Sequence, residues 1–290
     1  MSGASTRVWL LLACLSASDV VWCGARGIGL SHWLPFAGIS LALVAIAAIG
    51  YRTGDLGRHC AALAEWGLLW LIFSVAGAIL TYLAAARNGP LYDARLAAAD
   101  AALGFDWRAW YDFVVEHPAL KLPFAAAYHS LLPQILLAVL WFSRPARQQR
   151  GAELLIGVTV ALMLTAAVFS LFPTFGPAVG MPELREAYVE DLVGLRNGTL
   201  PSLDIMLLKG VIAFPSFHAV LAVLFTYAYR GSRLLLPVGA FNLVMLLSLP
   251  SEGGHYLLDV PGGVAVAIVA LLATRVLPVA RPALAPANPG

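Results

Sequence analysis

The chain is expected to be an all-α polytopic membrane helix bundle of about eight spans. Three observations predict this. Of its 290 residues, 60% are hydrophobic and 12% charged, about half the charged share of a soluble domain. The apolar residues gather into runs near 8–24, 33–50, 66–86, 122–142, 153–173, 212–229, 234–250 and 257–278. Each approaches the roughly 20 residues a helix needs to cross hydrocarbon. Finally, the arginines collect on alternate connections, as they do where cytoplasmic loops hold Lys and Arg.

The run 8–24 is the weakest span, because Asp19 interrupts it. Arg7, the apolar residues 8–15 and Ser16-Ala17-Ser18 also resemble a short signal peptide. Leu11-Leu12-Ala13-Cys14 faintly resembles a lipoprotein processing site, but too little apolar sequence precedes it, so an uncleaved first span is preferred. With the uncharged run 33–50 it forms an accessory pair over 1–60. The remaining six runs form a core over 61–280, and 281–290 is expected to be a disordered tail. Cys14, Cys23 and Cys60 are odd in number and lack metal-ligand spacing, which excludes a disulfide framework or a zinc site built on them.

Arg52 and Arg58, then Arg144, Arg147 and Arg150, then Arg230 and Arg233, then Arg275 and Arg281 fall on one side, together with Arg7. Both termini are therefore placed in the cytoplasm. The opposite side holds the long connections 87–121 and 174–210, with acids including Asp93, Asp100, Asp106, Asp112, Glu183, Glu186 and Asp204. The net charge of +2 hides this segregation and gives no reason to invoke nucleic acid. In 87–121, acids interleave with Leu91, Leu96 and Leu103 before Trp107, Trp110 and Tyr111, which predicts helices lying in the interface. They would form a lipid-facing vestibule or a positioning belt. Asn197-Gly198-Thr199 is a formal glycosylation acceptor, a short match that is common by chance.

Two polar clusters stand at the outer ends of spans, where ionisable groups mark function. In Phe214-Pro215-Ser216-Phe217-His218, Pro215 suits the first turn of a helix, leaving the amides of Ser216, Phe217 and His218 open as an anion site. The Ser216 hydroxyl can donate to a phosphate oxygen, nearby Lys209 can add positive charge, and His218 is placed to move a proton. Thirty-seven residues beyond His218, His255 and Asp259 fall at i and i+4, on one face of a helix. The carboxylate can hold one ring nitrogen and leave the other to attack. The bland alternatives are a helix cap, a satisfied polar residue and a buried pair that pins the last span. His218, His255 and Asp259 are also competent metal ligands, but no H-E-x-x-H or cysteine pair accompanies them, so neither a metal nor another cofactor is expected.

At these residues the chain resembles the type 2 phosphatidic acid phosphatase superfamily, whose membrane members carry P-S-x-H followed by a motif ending H-x-x-x-D. The resemblance implies a six-helix core on the third to eighth spans. It also implies that His255 forms a phosphohistidine, that Asp259 orients it, and that His218 protonates the leaving group and then deprotonates the acceptor. The usual first motif, a Lys six residues before Arg-Pro, is absent, and Ser248 stands where the last motif normally begins with Arg. Phe217 replaces the common Gly. These departures look like the inositol phosphorylceramide synthase branch, which implies a lipid or polyol hydroxyl as acceptor. Ser216, Phe217 and Lys209 are then the candidate phosphate-binding residues. Arg185, Arg196, Arg95, Tyr128 and His129 are the further pocket candidates.

The expected activity is a lipid phosphatase or phosphotransferase acting on a phospholipid or lipid phosphate at the outer face of a membrane. Short loops and the absence of retention signals point to a bacterial inner membrane, with the site facing the periplasm. Two alternatives stand beside it: a lipid or solute transporter that relays protons through these residues, and a degenerate scaffold of the same fold. Ionisable groups at one face only weigh against the first, and retention of all three catalytic candidates weighs against the second.

Overall fold

The computed structural model describes residues 3–181 and 188–276, so the expected tail at 281–290 lies outside them. The all-α expectation holds. Apart from helices, the described residues form only β1 (Gly29–Ser31) and β2 (Ser202–Asp204), a short parallel pair with Gly29 opposite Ser202. It ties the connection after the first helix to the long connection 174–210.

The first helix, α1 (Gly3–Arg26), runs through Asp19 without a break. Asp19 is 2% exposed, and neither carboxylate oxygen has a hydrogen-bond partner among the described residues. α2 (Trp33–Gly50) packs on α3 (Asp55–Ala85) and leaves Leu34, Leu41 and Ile49 open, as a helix facing lipid would. α1 instead enters the core, where Val8, Leu12 and Leu15 cluster with Trp66, Leu69 and Phe73 of α3. Leu155 and Val158 of α8 (Gln148–Leu171) complete this contact. The buried Glu65 carboxylate accepts from Trp9 Nε1 at 3.3 Å and from the Tyr51 hydroxyl, which satisfies a group that would otherwise be costly to bury.

The connection after α3 forms two short helices. α4 (Asp93–Ala102) is alanine-rich with Asp93 in its first turn, both favourable to helix. α5 (Trp107–Glu116) is capped by Asp106, whose side chain accepts the Ala109 amide at 3.0 Å. The fourth apolar run is broken into α6 (Pro118–Tyr128) and α7 (Leu131–Phe142), bent by 47°. Pro133 accounts for the break. It has no N–H to give the carbonyl of His129, and its ring crowds that carbonyl.

α9 (Tyr188–Asn197) lies in the connection 174–210. The bundle closes with α10 (Phe217–Ala228), α11 (Leu235–Glu252) and α12 (Asp259–Val276). α10 packs on α8, α11 and α12, with Phe225 stacked on Trp70 of α3 at 5.7 Å. Among the described residues five helices are long and apolar enough to cross a membrane, or six if the bent α6–α7 pair counts as one span. That is fewer than the eight apolar runs of the sequence. In particular, the run 212–229 yields only the 12 residues of α10, because 211–216 is not helical. Such backbone is tolerated at membrane depth where protein or a wet cavity surrounds it, and Val211, Ile212 and Ala213 are buried.

Candidate active site

Helix α10 begins at Phe217, and Ser216 is its N-cap, the hydroxyl oxygen accepting the Ala219 amide at 3.4 Å. Pro215 therefore precedes the cap instead of occupying the first turn. Serine is a favoured cap residue, and Phe214 is steered away from helical backbone by the proline after it. Of the three amides expected to be open, that of Ser216 donates to the Asp259 carbonyl at 3.0 Å. Those of Phe217 and His218 have no acceptor among the described residues.

The second cluster is also built differently from expectation. His255 lies in the turn between α11 and α12, after Gly254 at φ 57°, and Asp259 is the first residue of α12. The pair does not share a helical face. Asp259 reaches back over the turn, where Oδ2 accepts the Tyr256 amide at 2.9 Å and meets His255 Nδ1 at 3.0 Å. Both side chains are buried, at 4% and 0% exposure. The other ring nitrogen, Nε2, stands 3.1 Å from Ser216 Oγ. Because that oxygen already accepts from Ala219, its proton is free to donate to Nε2. The imidazole hydrogen then sits on Nδ1 and donates to Asp259, leaving the Nε2 lone pair on the side of Ser216.

Glycine at 263 permits this meeting of α10 and α12. A Cβ there would lie 2.2 Å from the Ser216 carbonyl oxygen and 2.8 Å from the Ala219 Cβ. His218 stacks on Tyr128 at 4.3 Å with the rings 14° from parallel, and its ring centre is 6.5 Å from that of His255. Both histidines line a cavity of roughly 910 Å³ together with Phe217, Tyr128, His129 and Lys209. Lys121 and Glu252 also line it. Ser216 is fully buried; it and Asp259 are not among the lining residues and meet the cavity through their hydrogen bonds to His255.

The segment 87–121 grips this site. Buried Asp100 of α4 accepts the amides of Leu257 and Leu258 at 2.7 and 3.3 Å. Trp107 Nε1 donates to the Pro250 carbonyl at 2.7 Å. Asp93 accepts the Phe175 and Gly176 amides and, at 3.3 Å, the Tyr256 hydroxyl. Burial, and then the Asp93 carboxylate beside it, hold the Tyr256 phenol above its ordinary range, so it remains a neutral donor. The sequence reading assigned no role to Asp93, Asp100 or Lys121. The available signal was Asp93 and Asp100 seven apart in an alanine-rich helix, hence on one face. Among the described residues no three His, Cys, Asp or Glu side chains converge as a metal site would require.

The profile of the PAP2 superfamily matches residues 94–273, from α4 to α12 and through every residue of the two clusters. The chain belongs to the PAP2 superfamily. No curated protein matches it, and no solved structure does. Membership in the PAP2 superfamily supports a phosphatase-type function on a phosphate-containing substrate.

The remaining basic candidates for a PAP2 phosphate site separate. Lys209 is at the cavity. Arg95 is exposed and lies over the Tyr92 ring at 4.9 Å. Arg196 donates to the Gly89 carbonyl at 2.5 Å and faces the Phe175 ring. Neither of these arginines lines the cavity. Arg185 lies outside the described residues.

Proposed function

We propose that this PAP2 superfamily member is an integral-membrane lipid phosphatase or phosphotransferase that works through a phosphohistidine at His255. The hydrogen-bonded series Ser216–His255–Asp259, with His255 in the wall of a cavity that also holds His218, carries this reading. A phosphate entering between Lys121 and Lys209 draws the Ser216 hydroxyl away from Nε2 and takes hydrogen bonds from it and from the open amides of Phe217 and His218. The freed Nε2 lone pair attacks phosphorus. The bond to the leaving oxygen breaks, and His218 gives that oxygen a proton. Asp259 stabilises the charge that develops on the ring. His218 then takes a proton from water or from a hydroxyl, whose oxygen attacks phosphorus and releases His255. Water as acceptor gives a phosphatase and a lipid or polyol hydroxyl gives a transferase. Phe217 in the P-S-x-H position and the short His-Tyr-Leu-Leu-Asp motif support the inositol phosphorylceramide synthase-like branch, and with it the transferase. We place the site at the outer leaflet of a bacterial inner membrane with both termini cytoplasmic, as the arginine distribution supports.

The test uses purified protein with phosphatidic acid or phosphatidylinositol as donor, with and without diacylglycerol or ceramide, and compares wild type with His255→Ala. Free phosphate that depends on His255 identifies a phosphatase, and a new phospholipid with little free phosphate identifies a transferase. Turnover in His255→Ala equal to wild type would sink the mechanism.

A further inference from the structure

The end of the bundle remote from the site holds a second cavity, of roughly 640 Å³, between the α7–α8 junction and the α10–α11 turn. Four arginines line it, Arg147, Arg150, Arg230 and Arg233, against one carboxylate, Glu153. Glu153 is already engaged by Arg230 at 2.9 Å, and Arg150 donates to the Arg230 carbonyl. Arg147 lies over the Trp141 ring at 3.7 Å. Its Nη1 is buried with no hydrogen-bond partner among the described residues. A smaller adjoining cavity shares Arg150, Glu153 and Arg230 and adds Arg275, which donates to the Tyr227 hydroxyl at 2.9 Å.

We propose that this cavity is a binding site for the phosphate of an anionic phospholipid headgroup, separate from the catalytic cavity at the other end of α10. Cationic side chains at span ends are ordinary, and scattered ones attract any anionic surface. Here they converge on one concavity with a surplus of positive charge and a guanidinium N–H that lacks an acceptor, a costly state that a phosphate oxygen relieves. Arg147, flattened on Trp141, presents its planar fork for paired hydrogen bonds to phosphate. The apolar helices on either side present Leu140 and Leu236, 58% and 81% exposed, so acyl chains have somewhere to lie beside a bound headgroup. That continuity with exposed apolar surface favours a lipid over a free phosphate. Basic pockets between spans are an established means of holding anionic headgroups.

The experiment titrates the full chain, in neutral detergent, with dihexanoyl phosphatidylglycerol below its micelle threshold. Dihexanoyl phosphatidylcholine and inorganic phosphate are run in parallel, and thermal stability and tryptophan fluorescence are read. The expected result is a saturable rise in melting temperature with phosphatidylglycerol and none with phosphatidylcholine. Arg147→Gln should weaken the binding about tenfold or more, the scale of one charge-assisted hydrogen bond, and Arg147→Lys should fall between the two. Because Arg147 lies away from His255, both variants should keep wild-type turnover, which also shows that they fold. Equal saturable stabilisation by inorganic phosphate, lost in Arg147→Gln, would overturn the lipid as ligand. A response that never saturates, or one that Arg147→Gln leaves unchanged, would overturn the site.

Discussion

Gly263→Ala should separate the two halves of the candidate site without removing any proposed catalytic side chain. The new methyl would start 2.2 Å from the Ser216 carbonyl oxygen, whereas even favourable carbon–oxygen contacts settle at about 3.3 Å. Backbone on both sides must therefore part by about 1 Å. Ser216 Oγ and His255 Nε2 are 3.1 Å apart, and a retreat of that size takes them beyond hydrogen-bonding range. Misplacement of reacting groups by about 1 Å can cost on the order of 100-fold in rate. The assay is His255-dependent turnover of the lipid donor, with thermal unfolding measured on the same preparation. Gly77→Ala is the control. Its methyl would meet Leu162 Cδ2 at 2.7 Å, also a crowded contact but with the end of a flexible side chain away from the cavity. It should lose some stability and keep its rate. Wild-type turnover in a folded Gly263→Ala protein would refute the view that the Ser216–His255 juxtaposition matters for the chemistry.

Three other expectations follow from the same geometry. Asp100→Ala leaves the partly buried amides of Leu257 and Leu258 without their acceptor, at up to about 1–3 kcal/mol for each, so melting temperature and turnover should both drop, with Asp100→Asn less affected; an unchanged melting temperature would show that α4 does not hold the turn. Lys121→Ala and Lys209→Ala should each raise KM severalfold with little change in kcat, and the double variant should lose most of the dependence of KM on ionic strength; an unmoved KM in both would remove the lysines from phosphate binding. Asp259→Asn should keep partial turnover while His218→Ala keeps almost none, and rapid-quench trapping of an acid-labile phosphoryl adduct tells them apart, since without His218 the adduct forms slowly or fails to discharge.

Hydropathy and charge made the helical class legible, and the chemistry of Pro-Ser-x-His and His-x-x-x-Asp marked the residues that the fold brings together from 37 positions apart. What escaped is local backbone geometry inside apolar sequence. A sliding hydropathy sum treats 122–142 as one span, although Pro133 deprives the His129 carbonyl of its partner and bends the chain by 47°. It likewise treats 212–229 as a span, although Phe214-Pro215 and the Ser216 cap postpone the helix to Phe217. The His255–Asp259 spacing suggested a helical face, yet the same spacing is met by a turn whose amides Asp259 and Asp100 accept. Asp100 could not be assigned from sequence, because its partners are backbone groups 157 and 158 positions away and leave no residue-type signature. Lys121 reached the cavity through the same long connection.

On the proposed lipid substrate, the shortness of α10 makes membrane thickness a term in the reaction. Twelve helical residues rise only about 18 Å. With Arg230 at one headgroup level, Ser216 stops roughly 10 Å short of the other in a hydrocarbon layer about 30 Å deep. A lipid phosphate arriving from above must sink that distance into the protein, or the surrounding leaflet must thin to deliver it. Short-chain bilayers lower the substrate toward His255, and thick, ordered ones hold it out of reach. On that proposal the acyl chains of bystander lipids, which never touch the catalytic cavity, set how often it fills.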